Sequence, residues 1–353
     1  MVTIGGTGVF SAPSGIAVDA RFNVYVGDAG NSRIAVIGLD GTVSTLAASP
    51  SSPFFSQRSQ TSPLADPFSP SGVAASPAGI VASNARGGAV SLLQPVGGDA
   101  AAPSCVLASA SSQTGALSPL PPPTFTPGLI SFDPSSHASL VVDTAANAVY
   151  RVAVPASFPA SCSLTNATVV ASTTTSPALR TSVFASAVSD GLGHVILADR
   201  SGGPSGAGLF NLSSGASLFP GTLTTPTALA VDASAGLLVA NGSCVFALCA
   251  PYSKIAVVGC GLPSPTAGLA VDAVGTVYAL SGNSVVKFFF SSCSATAAAA
   301  AAVSPPPPGA PAPPGALPSP PPVPPPAQLD ATVSLTITLG ARDTPSISIS
   351  FFS

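Results

Sequence analysis

The chain has 353 residues and a net charge of −3, with 7% charged residues, 46% hydrophobic residues and a mean hydropathy of +0.56. Nucleic-acid binding needs clustered Lys and Arg, and two Lys (Lys254, Lys287) with eight scattered Arg form no such patch, so no nucleic-acid partner is expected. No uninterrupted apolar run reaches the roughly 18 residues of a membrane-spanning helix, so no transmembrane segment is expected, and a chain without Glu or Trp has little charge to solvate helix surfaces, which points to strands and tight turns.

Taken in chain order, an apolar strand, an Asp- or Gly-bearing turn and a second apolar strand recur six times. Pro13-Ser-Gly-Ile-Ala-Val-Asp19 leads to Asn23–Asp28, and Pro70–Ser76 to Gly79–Asn84. Pro127–Asp133 leads to Leu140–Asp143, and Phe184–Ser189 to His194–Asp199. Pro226–Asp232 leads to Leu237–Asn241, and Pro265–Asp272 to Thr276–Leu280. Anchored at residues 19, 76, 133, 189, 232 and 272, the intervals are 57, 57, 56, 43 and 40, each long enough for one four-stranded unit. The first unit shows all four strands, at 15–18, 24–26, 33–37 and 43–46. Their short continuous apolar runs suit strands buried on both faces.

The stretch from Pro13 to Ile34 resembles a complete NHL repeat, and the other five units resemble worn copies, the second with Ser76 in place of Asp and the fourth without its leading Pro. The resemblance covers roughly residues 1–290 and implies an all-β, six-bladed β-propeller. Such rings are closed by an N-terminal strand, and the sixth unit has no fourth strand of its own, so residues 1–9 are expected to complete it. A structural strand at Met1 leaves no room for a signal peptide, and an upstream segment is expected to be missing.

The expected domains are the propeller at 1–294, an Ala/Pro-rich disordered linker at 295–327 and a short β-like tail or truncated β domain at 328–353. The linker holds 14 prolines between residues 305 and 326, a polyproline II spacer in character. Its Ser-Pro-Pro pattern resembles the hydroxyproline-rich stalks of cell-wall glycoproteins.

Propeller geometry sorts the polar residues. The turns after the second strands open on one face, which would carry Asp28, Asn84, Asp143, Asp199 and Asn241, with Asn283 as a sixth member. Such a ring suits Ca²⁺ or a polar ligand; the alternative is that each Asx side chain caps its own turn. Asp19, Asp133, Asp232 and Asp272 lie at the opposite face as turn-formers, with His137 and His194 nearby. Six Cys without any C-x-x-C pair suit disulfides rather than zinc. Antiparallel pairing of 244–250 with 254–260 about Tyr252 places Cys244 opposite Cys260, a disulfide candidate whose alternative is two free thiols. Asn166, Asn211 and Asn241 begin N-glycosylation sequons.

Two propeller enzyme families bear on function. Gluconolactonase-like enzymes hold a divalent metal with a Glu, and peptidylglycine-type lyases use several His, whereas this chain has no Glu and two His. The leading expectation is a non-catalytic, extracellular or cell-wall binding module for a protein or glycan ligand, carried on a Pro-rich stalk and without a cofactor. The alternatives are a degenerate propeller hydrolase or lyase with a divalent metal at the channel mouth, and a structural cell-wall glycoprotein.

Overall fold

A computed structural model describes residues 2–4, 8–49, 52, 68–95, 104–109, 125–160, 167–174, 179, 181–201, 208–219, 222–232, 236–249, 252 and 254–289. The linker and tail at 295–353, and Asn166 of the first sequon, lie outside them. All described residues belong to one compact unit, Met1–Ala302.

Among the described residues, the strands form six four-stranded antiparallel sheets arranged as the blades of a propeller. Blade 1 comprises Pro13–Val18, Val24–Asp28, Arg33–Ile37 and Val43–Ala48. Blade 2 comprises Pro70–Ser76, Gly79–Asn84, Ala89–Leu93 and Ser104–Ser109. Blade 3 comprises Pro127–Asp133, Ala138–Asp143, Ala148–Ala153 and Ala167–Ser172. Blade 4 comprises Phe184–Ser189, Val195–Asp199, Leu209–Asn211 and Ala216–Leu218. Blade 5 comprises Pro226–Val231, Leu237–Asn241, Cys244–Cys249 and Lys254–Gly259. Blade 6 comprises Thr266–Val271, Thr276–Ser281 and Ser284–Phe289, with Val2–Ile4 as its outer strand.

That outer strand closes the ring. Val2, Thr3 and Ile4 pair antiparallel with Lys287, Val286 and Val285. The edge that blade 6 would otherwise offer to another chain is thereby occupied along these residues.

The blades stack through apolar sheet faces. Val26, Ile34, Val81, Val141, Leu197, Val239 and Leu280 have no accessible surface. Each residue lies on a second or third strand, which is why those strands read as apolar runs and not as alternating patterns. The inner strands carry a shared irregularity. Each first hairpin has a register shift just after its opening residue, at Pro13, Pro70, Pro127, Phe184, Pro226 and Thr266. Such bulges bend a strand and increase its twist. Where a Pro opens the strand, it has no N–H to leave unpaired.

These openings correct the spacing of the fourth unit. Inner strands begin at residues 13, 70, 127, 184, 226 and 266, so the spacing is 57 three times, then 42 and 40. The residue equivalent to Asp19 is therefore Asp190, not Ser189. Ser189 still belongs to the strand, and Asp190 begins the turn, with its N–H bonded to the His194 carbonyl.

Candidate functional site

The six inner strands surround a central channel. It narrows at Ile16, Val73, Ile130, Leu229 and Leu269 to a void of about 20 Å³. On one side it opens into a funnel of about 170 Å³, whose rim is Val18, Ala75, Phe132, Ser189, Val231 and Val271. The opposite mouth, about 230 Å³, is lined by Ser14, Ser71, Thr144 and Arg200 among others. The funnel lies on the face of the first turns. Its side chains are apolar, Phe132 included, except for Ser131 and Ser189, and all six blades contribute to it.

The predicted Asx ring lies on the other face, at the ends of the second strands. Across the first hairpins Asp28, Asn84, Asp143, Asp199 and Asn241 stand opposite the residues that open the inner strands. Asp28, Asn84, Asp143 and Asp199 are buried, and Asn241 is half-buried. Each accepts a hydrogen bond from the segment entering its own blade. The donors are the N–H groups of Ser11 (2.7 Å), Ser69 (2.9 Å), Thr126 (3.3 Å), Val183 (2.9 Å) and Thr225 (2.9 Å). The sixth ring position belongs to Ser281, whose Oγ accepts from Ser264 N–H at 2.9 Å. Asn283 instead accepts from Ala12 N–H in blade 1, at 3.3 Å. The signal for Ser281 was legible: Val277-Tyr-Ala-Leu-Ser281 aligns with Val24-Tyr-Val-Gly-Asp28.

Asp28 also carries a buried ion pair. Its Oδ2 accepts from Arg33 Nε at 2.8 Å and from Asn31 Nδ2 at 2.8 Å. Asp143 Oδ1 also accepts from Ala145 and Ala146 N–H, and its Oδ2 is a buried oxygen without a hydrogen-bond partner.

At the funnel face, carboxylates organise the first turns. Asp19 accepts from the N–H groups of Arg21 and Asn23, from Asn23 Nδ2 and from Tyr25 OH. Asp133 serves Ser135 and Ser136, and Asp232 accepts from Gly236 N–H. Asp272 accepts from Val274 and Thr276 N–H and from Tyr278 OH. Asp190 was not singled out from sequence, yet it joins two side chains. Its Oδ2 receives Tyr252 OH of blade 5 at 2.9 Å and lies 2.7 Å from Nδ1 of His194.

Burial pushes the Asp190 carboxyl up, but hydrogen bonds from His194, Leu192 and Tyr252 outweigh it and hold the group below its ordinary value. Burial, reinforced by the Asp190 hydrogen bond and charge, pushes Tyr252 well above the usual phenol range. His194 remains 43% exposed in its side chain, and His137 is exposed with a left-handed φ of 49°. Among the described residues, no three His, Cys, Asp or Glu side chains come together as a metal site.

Cys244 and Cys260 are joined by a disulfide, with Cα atoms 4.1 Å apart, at the end of the pairing between the third and fourth strands of blade 5. Cys105 and Cys249 are also disulfide-bonded. Of the sequon residues, Asn211 is buried and accepts from Ser213 and Ser214 N–H, while Asn241 is held by Thr225.

No known family profile matches the chain, and no characterised protein matches it in sequence. Solved structures match its fold. A Bacteroides thetaiotaomicron protein of unknown function aligns with TM-score 0.54 and 12% identity over 79% of this chain and 69% of its own. A catalytically inactive H270A virginiamycin B lyase from Staphylococcus aureus, solved with quinupristin, aligns with TM-score 0.51 and 14% identity over 82% and 99%. A Xanthomonas campestris gluconolactonase aligns with TM-score 0.51 and 13% identity over 79% and 86%. At these identities the likeness shows a shared six-bladed fold and no more.

Proposed function

We propose that this propeller is a non-catalytic binding module whose funnel receives a compact apolar group of a protein ligand. The observation that carries this reading is the set of apolar side chains drawn from all six blades, beside carboxylates that are engaged within their own turns. Concave apolar sites with few polar groups are the usual form of a binding pocket. The disulfides support an oxidising, extracellular setting, and the Pro-rich segment would act there as a stalk. Peptide selection from a displayed library on the immobilised protein tests the reading. Selected peptides should present an apolar side chain and lose about tenfold or more in affinity to Val231→Asp, which sets a charge at the funnel rim. Peptides that bind equally well to Val231→Asp would overturn it.

A second reading is a hydrolase or lyase. The exposed His194 held by the buried Asp190 on the funnel face favours it, as do fold relatives that include a virginiamycin B lyase and a gluconolactonase. Assays of lactone hydrolysis and of quinupristin opening, with and without Mg²⁺, Ca²⁺ or Zn²⁺, separate the two. The binding reading expects no turnover. Turnover abolished by His194→Ala would replace it with the enzyme reading.

A further inference from the structure

The channel mouth on the face of the Asx ring, about 230 Å³, differs from the funnel in carrying a charge. Arg200 lines it, the residue that follows the ring position in blade 4. The equivalent residues in blades 1, 2, 3, 5 and 6 are Ala29, Ala85, Thr144, Gly242 and Gly282, so the repeat itself requires no cation there. The backbone that carries Arg200 is pinned. Arg200 N–H donates to the Val183 carbonyl at 2.9 Å, and Asp199 Oδ1 accepts from the N–H groups of Val183 and Ser201, both at 2.9 Å. The Arg200 side chain is exposed, and its guanidinium has no hydrogen bond or ion pair among the described residues.

Across the channel the chemistry is reversed. The blades follow one another around the ring, which places blade 1 opposite blade 4, with blade 2 beside it. These two blades contribute Ser14 and Ser71, both half-buried. Each hydroxyl has already given its proton, Ser14 to the Pro70 carbonyl at 2.6 Å and Ser71 to the Pro127 carbonyl. Each therefore offers a ligand only lone pairs. Leu129 of blade 3 and Ala267 of blade 6, also half-buried, add apolar surface.

We propose that this mouth binds a small organic acid that also carries hydroxyl or ammonium donors. The carboxylate meets Arg200, whose planar fork matches two oxygens, and the donors reach Ser14 and Ser71. A bare inorganic anion is not selected. Among the described residues this end of the channel carries Asp28, Asp143 and Asp199 against Arg33, Arg86 and Arg200, so no net positive charge draws one in, and Asp143 Oδ2 is without a partner. The site adds to the binding-module reading and does not depend on the funnel.

Isothermal titration of the full chain with glucuronate, gluconate and glycyl-leucine tests the proposal, each beside the counterpart that lacks the carboxylate: glucose, glucitol and glycyl-leucinamide. At least one acid should bind about tenfold or more tighter than its counterpart. Binding by the sugar acids identifies hydroxyl donors, and binding by the dipeptide identifies ammonium. Arg200→Gln, with an unchanged thermal melt, should weaken that acid about tenfold or more. Arg86→Gln, which removes an exposed guanidinium from the same face but outside the mouth, should leave it unchanged. The proposal is overturned if no acid binds, if the counterpart binds equally well, or if affinity survives Arg200→Gln. An equal loss in Arg86→Gln, or inorganic sulfate binding as tightly as the acid, overturns it too. Peptides that still bind the funnel of Arg200→Gln leave the binding-module reading standing in each of these cases.

Discussion

Arg33 and Asp28 form an ion pair of 2.8 Å whose side chains are 5% and 0% exposed. Arg33 also donates to Thr45 Oγ1 at 3.2 Å and to the Val9 carbonyl at 2.8 Å. Removing one partner of such a pair strands the other's charge, so Arg33→Met should cost about 3–5 kcal/mol in urea unfolding. Titration adds a second expectation. Burial pushes Asp133 up, but hydrogen bonds from Ser135 and Ser136 outweigh it, so Asp133, like Asp190, sits below the ordinary 3.8. A depressed carboxyl stabilises the fold above its unfolded value, and that stability is lost as pH falls through the folded value. Tyr278 is pushed up to about 12 by burial and by the Asp272 charge, from 10.0. Its contribution is present below pH 10 and lost as pH rises towards 12. Thermal melts should therefore plateau between these limits, falling below pH 3.8 and above pH 10. A Tm still rising below pH 3 or above pH 11 would contradict this assignment of about the right carboxylates and phenols.

Hydroxyl groups stitch neighbouring blades at the level of the inner strands. Ser14 Oγ donates to the Pro70 carbonyl at 2.6 Å, and Thr227 Oγ1 to the Thr266 carbonyl at 2.5 Å. Ser71 Oγ donates in the same way to the Pro127 carbonyl. The equivalent positions in blades 3, 4 and 6 are Gly128, Ala185 and Ala267, which cannot donate, and Ser131 Oγ bridges to the Ala187 carbonyl of blade 4 at 2.8 Å. Inner strands approach so closely that a Cβ on Gly72 would lie 2.7 Å from the Gly128 carbonyl oxygen. Gly72→Ala should thus cost about 1–3 kcal/mol by overpacking, a loss that circular-dichroism melts would register. In blade 5, the Cys244–Cys260 bond spans 16 residues. Cys244→Ser/Cys260→Ser should cost about 3 kcal/mol, the loop-closure contribution expected for that span. Strand pairs such as Lys254–Gly259 against Cys244–Cys249 were legible because alternation and turn residues are local. The fourth unit's strand, Phe184–Ser189, was placed correctly, but its anchor fell at Ser189 instead of Asp190 because Phe184 stands where four other units show Pro, so only pairing with Asp199 set its register.

The whole ring depends on three N-terminal residues, Val2–Ile4, paired to the third strand of blade 6. Deleting residues 1–9 should lower Tm and promote self-association, visible by light scattering, because it bares the blade 6 edge and removes the Val9 carbonyl from Arg33. By itself, the sequence determined the six-unit ring, its closure and all the Asx and Asp turn positions except Ser281 and Asp190, since strand runs and turn chemistry depend on near neighbours. Tertiary structure alone decided which polar groups are engaged and where open space remains. Asp28 meets Ser11 across 17 residues and Asp190 meets Tyr252 across 62, contacts made by packing and invisible to local pattern. The open space of about 370 Å³ beside Tyr25 has the same origin, because it lies between the first turn of blade 1 and the two-residue turn of blade 2 at Pro77 and Ala78.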